Sequence, residues 1–356
     1  MRKPSKALGA AILISGLIMN SFFESGEAVA QDKKNKVQLV RQDNEKKVDV
    51  LVDGKLFTSY YYPNTIAKPV LYPIITAGGH EVTRGFPLAP RPGERVDHPH
   101  HVGMWFNYGD VNGLDFWNNS DAIPAEKKDH YGNIVQKKIV STQEGKDQAE
   151  LKVMTDWMAP DGKVLLKEET SFVFSADGPK RMIDRITKLT AVSQEVDMKD
   201  NKEGMLGIRV ARELEHPSDK PEIFTDANGI ATSVASLNNE GVSGNYRSSK
   251  GLEGDDVWGT RGEWVDLSGV IKGEKVSLAI IDHPDNVGYP TYWHARGYGL
   301  FAANTLGQKA LSGGKEELNF KLAQGKSVTF KYRVIVDSEN LSDKELNKEF
   351  ASFSKK

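Results

Sequence analysis

The stretch LKVMTDWMAPDGKVLLKEETSFVF, residues 151–174, decides the fold. Leu151, Val153, Thr155 and Trp157 stand two apart, so in an extended chain they share one face. Asp161-Gly162 follows, and then a second β-rich run, Val164–Phe174. An Asp-Gly pair between two such runs is a strong hairpin signal, because type I′ turns need positive φ at both central residues. Working outward, the device recurs at Asp53-Gly54. It follows Val37–Val40 and Val48–Val52 and precedes Leu56–Tyr62. Near the end, Val328, Phe330, Tyr332, Val334 and Val336 again alternate. One helix is expected, over Asp343–Phe353. Ser342 and Glu345 make a capping box, Leu341 and Leu346 a hydrophobic staple, and Leu346, Phe350 and Phe353 an apolar stripe. No 20–50-residue repeat and no long linker divides the chain. The expected fold class is therefore all-β, a single large antiparallel β-sandwich over residues 31–356 with a C-terminal helix.

The first thirty residues read as a secretory signal peptide. Arg2, Lys3 and Lys6 precede an apolar run, Ala7–Met19, and Ala28-Val29-Ala30 is a small-x-small cleavage pattern. The run is well short of the roughly 20 residues a spanning helix needs. The expected location is periplasmic or secreted, with no membrane insertion after cleavage. The chain has no cysteine, which excludes disulfides, thiolate metal sites and a lipoprotein anchor. Its formal net charge is −2 and no basic cluster stands out, so nucleic acid is not an expected partner. Neither a Gly-x-Gly-x-x-Gly turn, a phosphate loop nor a Gly-x-Ser-x-Gly elbow occurs, which argues against nucleotide cofactors and against a serine hydrolase of the usual type; no cofactor is expected.

Three segments carry the candidate chemistry. The first runs from Asp97-His98-Pro99-His100-His101 through Trp105, Asp110, Asn112 and Asp115 to Trp117. It mixes flat aromatic faces with short polar groups, the mixture that sugar rings and their hydroxyls require. If the segment is extended, His98 and His100 share a face and a metal site becomes one reading. General acid/base work by an imidazole is the second reading, and a hydrogen-bonded turn stiffened by Pro99 is the third. Acid/base chemistry is favoured, and no metal is expected. The second segment holds Asp282-His283-Pro284 and then Tyr292, His294 and Arg296. The shared Asp-His-Pro suggests two similar loops at one end of the sandwich. The third, Lys202-Glu203-Gly204 through Arg209, is a strand with Arg209 opposite its aliphatic face. Its Glu203 suits acid/base partnership with a histidine. The candidate catalytic set is His98, His100, His101, His283 and Glu203. Trp105, Asp110, Asn112, Asp115, Arg209, Tyr292, His294 and Arg296 are the candidate substrate contacts. All five of these histidines are expected to converge at one concave end.

In combination, these segments resemble a bacterial family of secreted proteins known as PmoA-like. The resemblance rests on residues 97–105 (DHPHHVGMW), 109–117 (GDVNGLDFW), 202–204 (KEG), 207–209 (GIR), 282–284 (DHP), 289–294 (YPTYWH) and 299–301 (GLF), and it covers most of the chain. Val102 stands where arginine is common in that family, and Gly297 where an acidic residue is common. The methane-oxygenase subunit behind the family's name is a polytopic membrane protein, and no span of membrane length follows the leader here. What the resemblance implies is association with sugar handling. A β-sandwich with histidines and a glutamate at a sugar site is similar, by analogy, to the aldose-epimerase-like supersandwich. Two functions stay open: an epimerase, lyase or hydrolase using His/Glu acid/base chemistry, and a non-catalytic carbohydrate-binding protein. In both, the partner is a small sugar or glycan.

Overall fold

Strand after strand in this chain alternates buried and exposed side chains, and the sheets follow from that alternation. A computed structural model describes Met1 and residues 36–356; the expected signal peptide and its cleavage point lie outside the described residues. The first strands are β1 Val37–Gln42, β2 Lys47–Val52, β3 Lys55–Tyr61, β4 Val70–Ile74 and β5 Met104–Tyr108. Then come β6 Asn133–Glu144, β7 Gln148–Met158, β8 Val164–Asp177, β9 Lys180–Ala191, β10 Val196–Met198 and β11 Gly204–Arg209. The last are β12 Asn245–Ser248, β13 Trp264–Ile271, β14 Glu274–Asp282, β15 Tyr292–Arg296, β16 Leu300–Asn304, β17 Phe320–Leu322 and β18 Ser327–Asp337.

They form two eight-stranded sheets, ordered β1-β2-β3-β4-β5-β11-β16-β15 and β12-β13-β14-β18-β9-β8-β7-β6, plus the small pair β10-β17. All strand pairings are antiparallel. The main core lies between the two large sheets. Met104, Phe106 and Ile208 reach into it from the first sheet, and Leu151, Val153, Trp157, Leu278 and Val334 from the second. Each large sheet also has an outer face with its own apolar cluster. On the second sheet, Trp264, Ile281 and Ile335 pack under the helix Asp343–Phe353 through Leu346 and Phe353. The capping box forms in full: Ser342 Oγ accepts from Glu345 N–H at 3.3 Å, and Ser342 N–H donates to Glu345 Oε2 at 2.9 Å. On the first sheet, Val70, Val102, Trp105, Trp117, Leu300 and Ala302 form the outer cluster.

The two Asp-Gly pairs differ. Asp53 and Gly54 both take positive φ, 51° and 77°, as a type I′ hairpin requires. At Asp161-Gly162 only the glycine does, at 87°. The loop there runs wider, with Ala159 N–H donating to Lys163 O, and a bulge between Trp157 and Met158 absorbs the extra residue.

Candidate active site

Four strands of the first sheet place one row of residues on its outer face. Gly207 of β11 pairs with Trp105 on one side and with Ala302 of β16 on the other, and Ala302 pairs with His294 of β15. The two small residues in the middle leave room above them. A Cβ on Gly207 would sit 2.6 Å from the Trp105 ring and 3.0 Å from Trp117, so only glycine lets the indole lie across the strand. One step along, Arg209 pairs with Leu300, and Leu300 with Arg296.

The Asp97–His101 segment folds over this row as a turn, with His101 N–H donating to His98 O at 2.9 Å. The extended arrangement with His98 and His100 on a common strand face does not occur. Pro99 and the positive φ of His98, 43°, turn the chain instead. The result is a column of four nearly parallel rings. Tyr298 stacks on His98 at 5.3 Å, His98 on His101 at 4.8 Å and His101 on Trp105 at 5.1 Å. His100 meets His101 edge-on at 4.3 Å.

His98 is the one member of this imidazole trio with a largely open edge, its side chain 42% exposed. Its Nδ1 lies 2.9 Å from Asp97 Oδ2. Asp97 Oδ1 accepts from Arg84 at 2.5 Å and Arg209 at 2.6 Å. Those guanidiniums, with His98 itself, hold the Asp97 carboxyl far below its ordinary range against the opposing effect of burial. Asp97 therefore stays ionised and accepts from Nδ1, which leaves Nε2 as the other nitrogen of this partly exposed ring. Beneath it, Arg209 is fully buried, and Glu215 gathers Arg95 at 2.6 Å and Arg212 at 2.7 Å. His101 Nδ1 faces Arg209 at 3.3 Å. Burial pushes His101 well below the usual imidazole range and takes His100 down to about 2, so both stay neutral.

Across from this column stand Glu203 and His294. Burial raises the Glu203 carboxyl, and Asp115 adds to the rise; the Lys202 ammonium and His98 oppose it. Gly109 makes room for this glutamate, because a Cβ there would fall 2.9 Å from Glu203 Cβ. His294 Nδ1 donates to Lys202 O at 3.1 Å and lies 3.9 Å from Glu203 Oε2. Burial lowers His294 to about 4, helped by the charges of Arg296 and Lys202.

A family model described as "Family of unknown function (DUF6807)" matches residues 47–351. The chain belongs to that family. Every residue of the outer-face site falls inside the matched span, so the site lies within the DUF6807 domain itself. Among curated protein sequences no match is found. Among solved structures, the chain is similar to the galactosidase domain of an α-galactosidase–sucrose kinase: 10% identity, TM-score 0.42, covering 86% of this chain and 42% of that one. It is also similar to a GH36 α-galactosidase from Geobacillus stearothermophilus: 11% identity, TM-score 0.39, 86% and 41% covered. A galactose mutarotase related enzyme from Lactobacillus acidophilus gives 10% identity, TM-score 0.25, with 85% and 98% covered. The chain thus spans about two fifths of the length of the two galactosidases it matches. At these identities and scores, none of the three bears on the chemistry of this DUF6807 member.

The structure does not bring all the expected residues together. His283 is a correction: it follows β14, and its ring meets Phe353 of the terminal helix edge-on at 5.1 Å. That is the outer face of the second sheet, so the whole sandwich separates His283 from His100. The site itself lies on a sheet face rather than among end loops. Asp110 caps a turn by accepting from Gly113 N–H, and Asn112 ties that turn to Glu195 O and Asp197 N–H. Tyr292 lies further along β15 under Arg261, 5.1 Å away. Asp115 holds the Trp117–Asn118 turn through both carboxylate oxygens. Sequence reasoning missed Lys68, Arg84 and Tyr298. Lys68, 3% exposed, donates to His100 O at 2.8 Å and stands 5.5 Å from the Trp105 ring centre, and burial takes its ammonium down to about 7. A cleft of about 420 Å³ adjoins it, lined by Lys68, Pro99, His100 and Asn119 among others. Among the described residues no group of three or more His, Asp or Glu side chains is placed to hold a metal ion, and no helix is long and apolar enough to cross a membrane.

The buried imidazole of His294 gives a pH signature. Its folded value near 4 lies below the ordinary 6.5. Between those values the unfolded chain binds a proton that the folded chain refuses, so this group costs stability as pH falls from 6.5 toward 4. Asp282, pushed up to about 7 by burial, titrates with the opposite sign, so a variant comparison is needed to isolate the imidazole. Relative to wild type, His294→Gln is expected to gain about 3 kcal/mol between pH 7 and pH 4. Urea denaturation of both proteins at the two pH values reads the difference, and an unchanged gap would remove His294 from the account.

Proposed function

We propose that this protein is a carbohydrate-active enzyme working outside the cytoplasm, moving protons at a sugar held over the outer face of the first sheet. His98 takes a proton at Nε2 from a sugar hydroxyl or ring C–H, and ionised Asp97 steadies the imidazolium that forms. Glu203, kept protonated more readily by burial, supplies a proton to an oxygen on the other side of the ring. An epimerase, a lyase or a hydrolase can be built from this pair. The observation that carries the reading is the way His98 is held. A non-glycine residue at positive φ, clamped between two parallel rings and hydrogen-bonded to a doubly anchored aspartate, is a costly arrangement that fixes one partly exposed nitrogen. Half-buried Tyr298, stacked on His98, supplies the aromatic edge a sugar ring needs, while Trp105 is fully buried and backs the column from below.

The test is a broad panel of free sugars, glycosides and oligosaccharides incubated with the protein lacking residues 1–30 in D2O and followed by proton NMR. Bond cleavage, epimerisation or exchange of a ring hydrogen is expected for at least one class, and is expected to disappear in Glu203→Gln. Sugar binding with no turnover across the panel would make the protein a binding module.

A further inference from the structure

Beside the His98 column, on the far side of Tyr298, lies a second cleft of about 440 Å³. Trp258, Arg296, Tyr298, His216, Lys220 and Asp255 are among the residues that line it. Tyr298 is the wall shared by the two: one face stacks on His98, and its ring stands 5.8 Å from the Arg296 guanidinium. The Arg296 guanidinium also sits over Trp258 at 5.5 Å.

Arg296 is unusual among the described arginines. Arg41, Arg84, Arg91, Arg95, Arg185, Arg209, Arg212, Arg247, Arg261 and Arg333 each pair with a carboxylate. Arg181 donates to two backbone carbonyls. Arg296 alone makes neither an ion pair nor a side-chain hydrogen bond among the described residues, although two aromatic rings hold it in place at the rim of a cleft. Carboxylates near it are engaged elsewhere: Asp255 with His216 at 3.2 Å and Glu222 with Arg95 at 2.8 Å. Asp219 and Lys220, both exposed on the rim, offset each other in formal charge. A planar fork of donors, pre-positioned on aromatic faces with no internal acceptor, matches a carboxylate or sulfate and is poorly used on hydroxyls alone.

We infer that this cleft receives an acidic sugar residue, one bearing a carboxylate or a sulfate ester, joined to the ring that sits at His98. The substrate is then an acidic glycoside of at least two residues. Arg296 is its charge-reading residue, and Trp258 and Tyr298 flank the second ring. This deepens the proposed acid/base function and rests on it for the placement of the first ring.

The test is calorimetric titration of the mature chain with digalacturonate, glucuronyl-xylose and a sulfated galactobiose, each beside its neutral counterpart. The quantity read is the ratio of acidic to neutral affinity. At least one acidic disaccharide is expected to bind ten times or more tightly than its neutral partner in wild type. That ratio is expected to fall toward one in Arg296→Gln, to be partly kept in Arg296→Lys, and to shrink with added salt. The uronate and sulfate arms identify which anion the fork prefers. Equal binding of acidic and neutral sugars in wild type, or an undiminished ratio in Arg296→Gln, overturns the inference. If neutral sugars are nonetheless turned over in a His98-dependent way, the acid/base reading survives that result. If no sugar binds at all, both fall.

Discussion

Replacing His98 with asparagine is expected to lower kcat/KM on whichever sugar the protein turns over by 10²–10⁴-fold, about the contribution of one positioned general acid/base group. Asparagine is the informative choice because it tolerates the positive φ of this position, 43°, where alanine would strain the turn. It keeps a polar side chain beside Asp97 but has no imidazole nitrogen to take a proton. The melting temperature is expected to stay within a few degrees of wild type, since the imidazole is already 42% exposed. A loss smaller than tenfold, with the fold intact, would mean that His98 is a packing residue and that the ring column is structural.

The second large effect lies under the site. Glu215 is 1% exposed and accepts from Arg95 at 2.6 Å and Arg212 at 2.7 Å, with Arg209 4.0 Å away. Glu215→Gln keeps the shape and removes the charge. It leaves Arg209 with Asp97, Arg95 with Glu222, and Arg212 with the Asn238 carbonyl and no carboxylate. Breaking a buried ion pair from one side costs about 3–5 kcal/mol, because the abandoned charge has no water to turn to. Guanidinium denaturation is expected to show a midpoint shift of that size. A shift under about 1 kcal/mol would show that the network is hydrated and weak in the manner of surface pairs. Arg209 links the two predictions: it joins Glu215 to Asp97, and Asp97 orients His98, so Glu215→Gln is also expected to depress turnover.

How far the sequence discloses this molecule depends on the distance over which each feature is written. Alternation at period two is local, and Leu151, Val153 and Trp157 all point into the main core as read. The capping box and staple are local too, and the terminal helix forms over the expected residues. The site is written partly in local runs and partly in long-range pairing. Asp97–His101 and Glu203–Arg209 stand out by composition, but nothing in Ala67-Lys68-Pro69 or Thr83-Arg84-Gly85 announces that Lys68 lies beneath Trp105 or that Arg84 shares Asp97 with Arg209. Those contacts exist only once β4, β5 and β11 have paired.

The His283 error has a plain cause. Asp97-His98-Pro99 and Asp282-His283-Pro284 are the same tripeptide doing different work. Asp97 is clamped by two arginines, whereas Asp282 is buried and accepts from Asn286 Nδ2 at 2.6 Å and Thr291 N–H at 2.8 Å. Strand order then puts the two on opposite outer faces of the sandwich. Asn112 and Asp110 look like hydroxyl-binding groups by type, yet a positive φ at Asn112, 54°, marks it as a turn residue.

The misplaced histidine supplies the control for the measurement that tests the central claim most directly, a titration of the imidazole-labelled protein with a bound sugar, followed by the ring resonances of its histidines. If the sugar sits on the outer face of the first sheet, the His98 and His294 signals move together and saturably, while His283, under the terminal helix, stays where it is. A sugar that binds and leaves His98 unmoved, or that moves His283 instead, would place the site elsewhere and contradict the account.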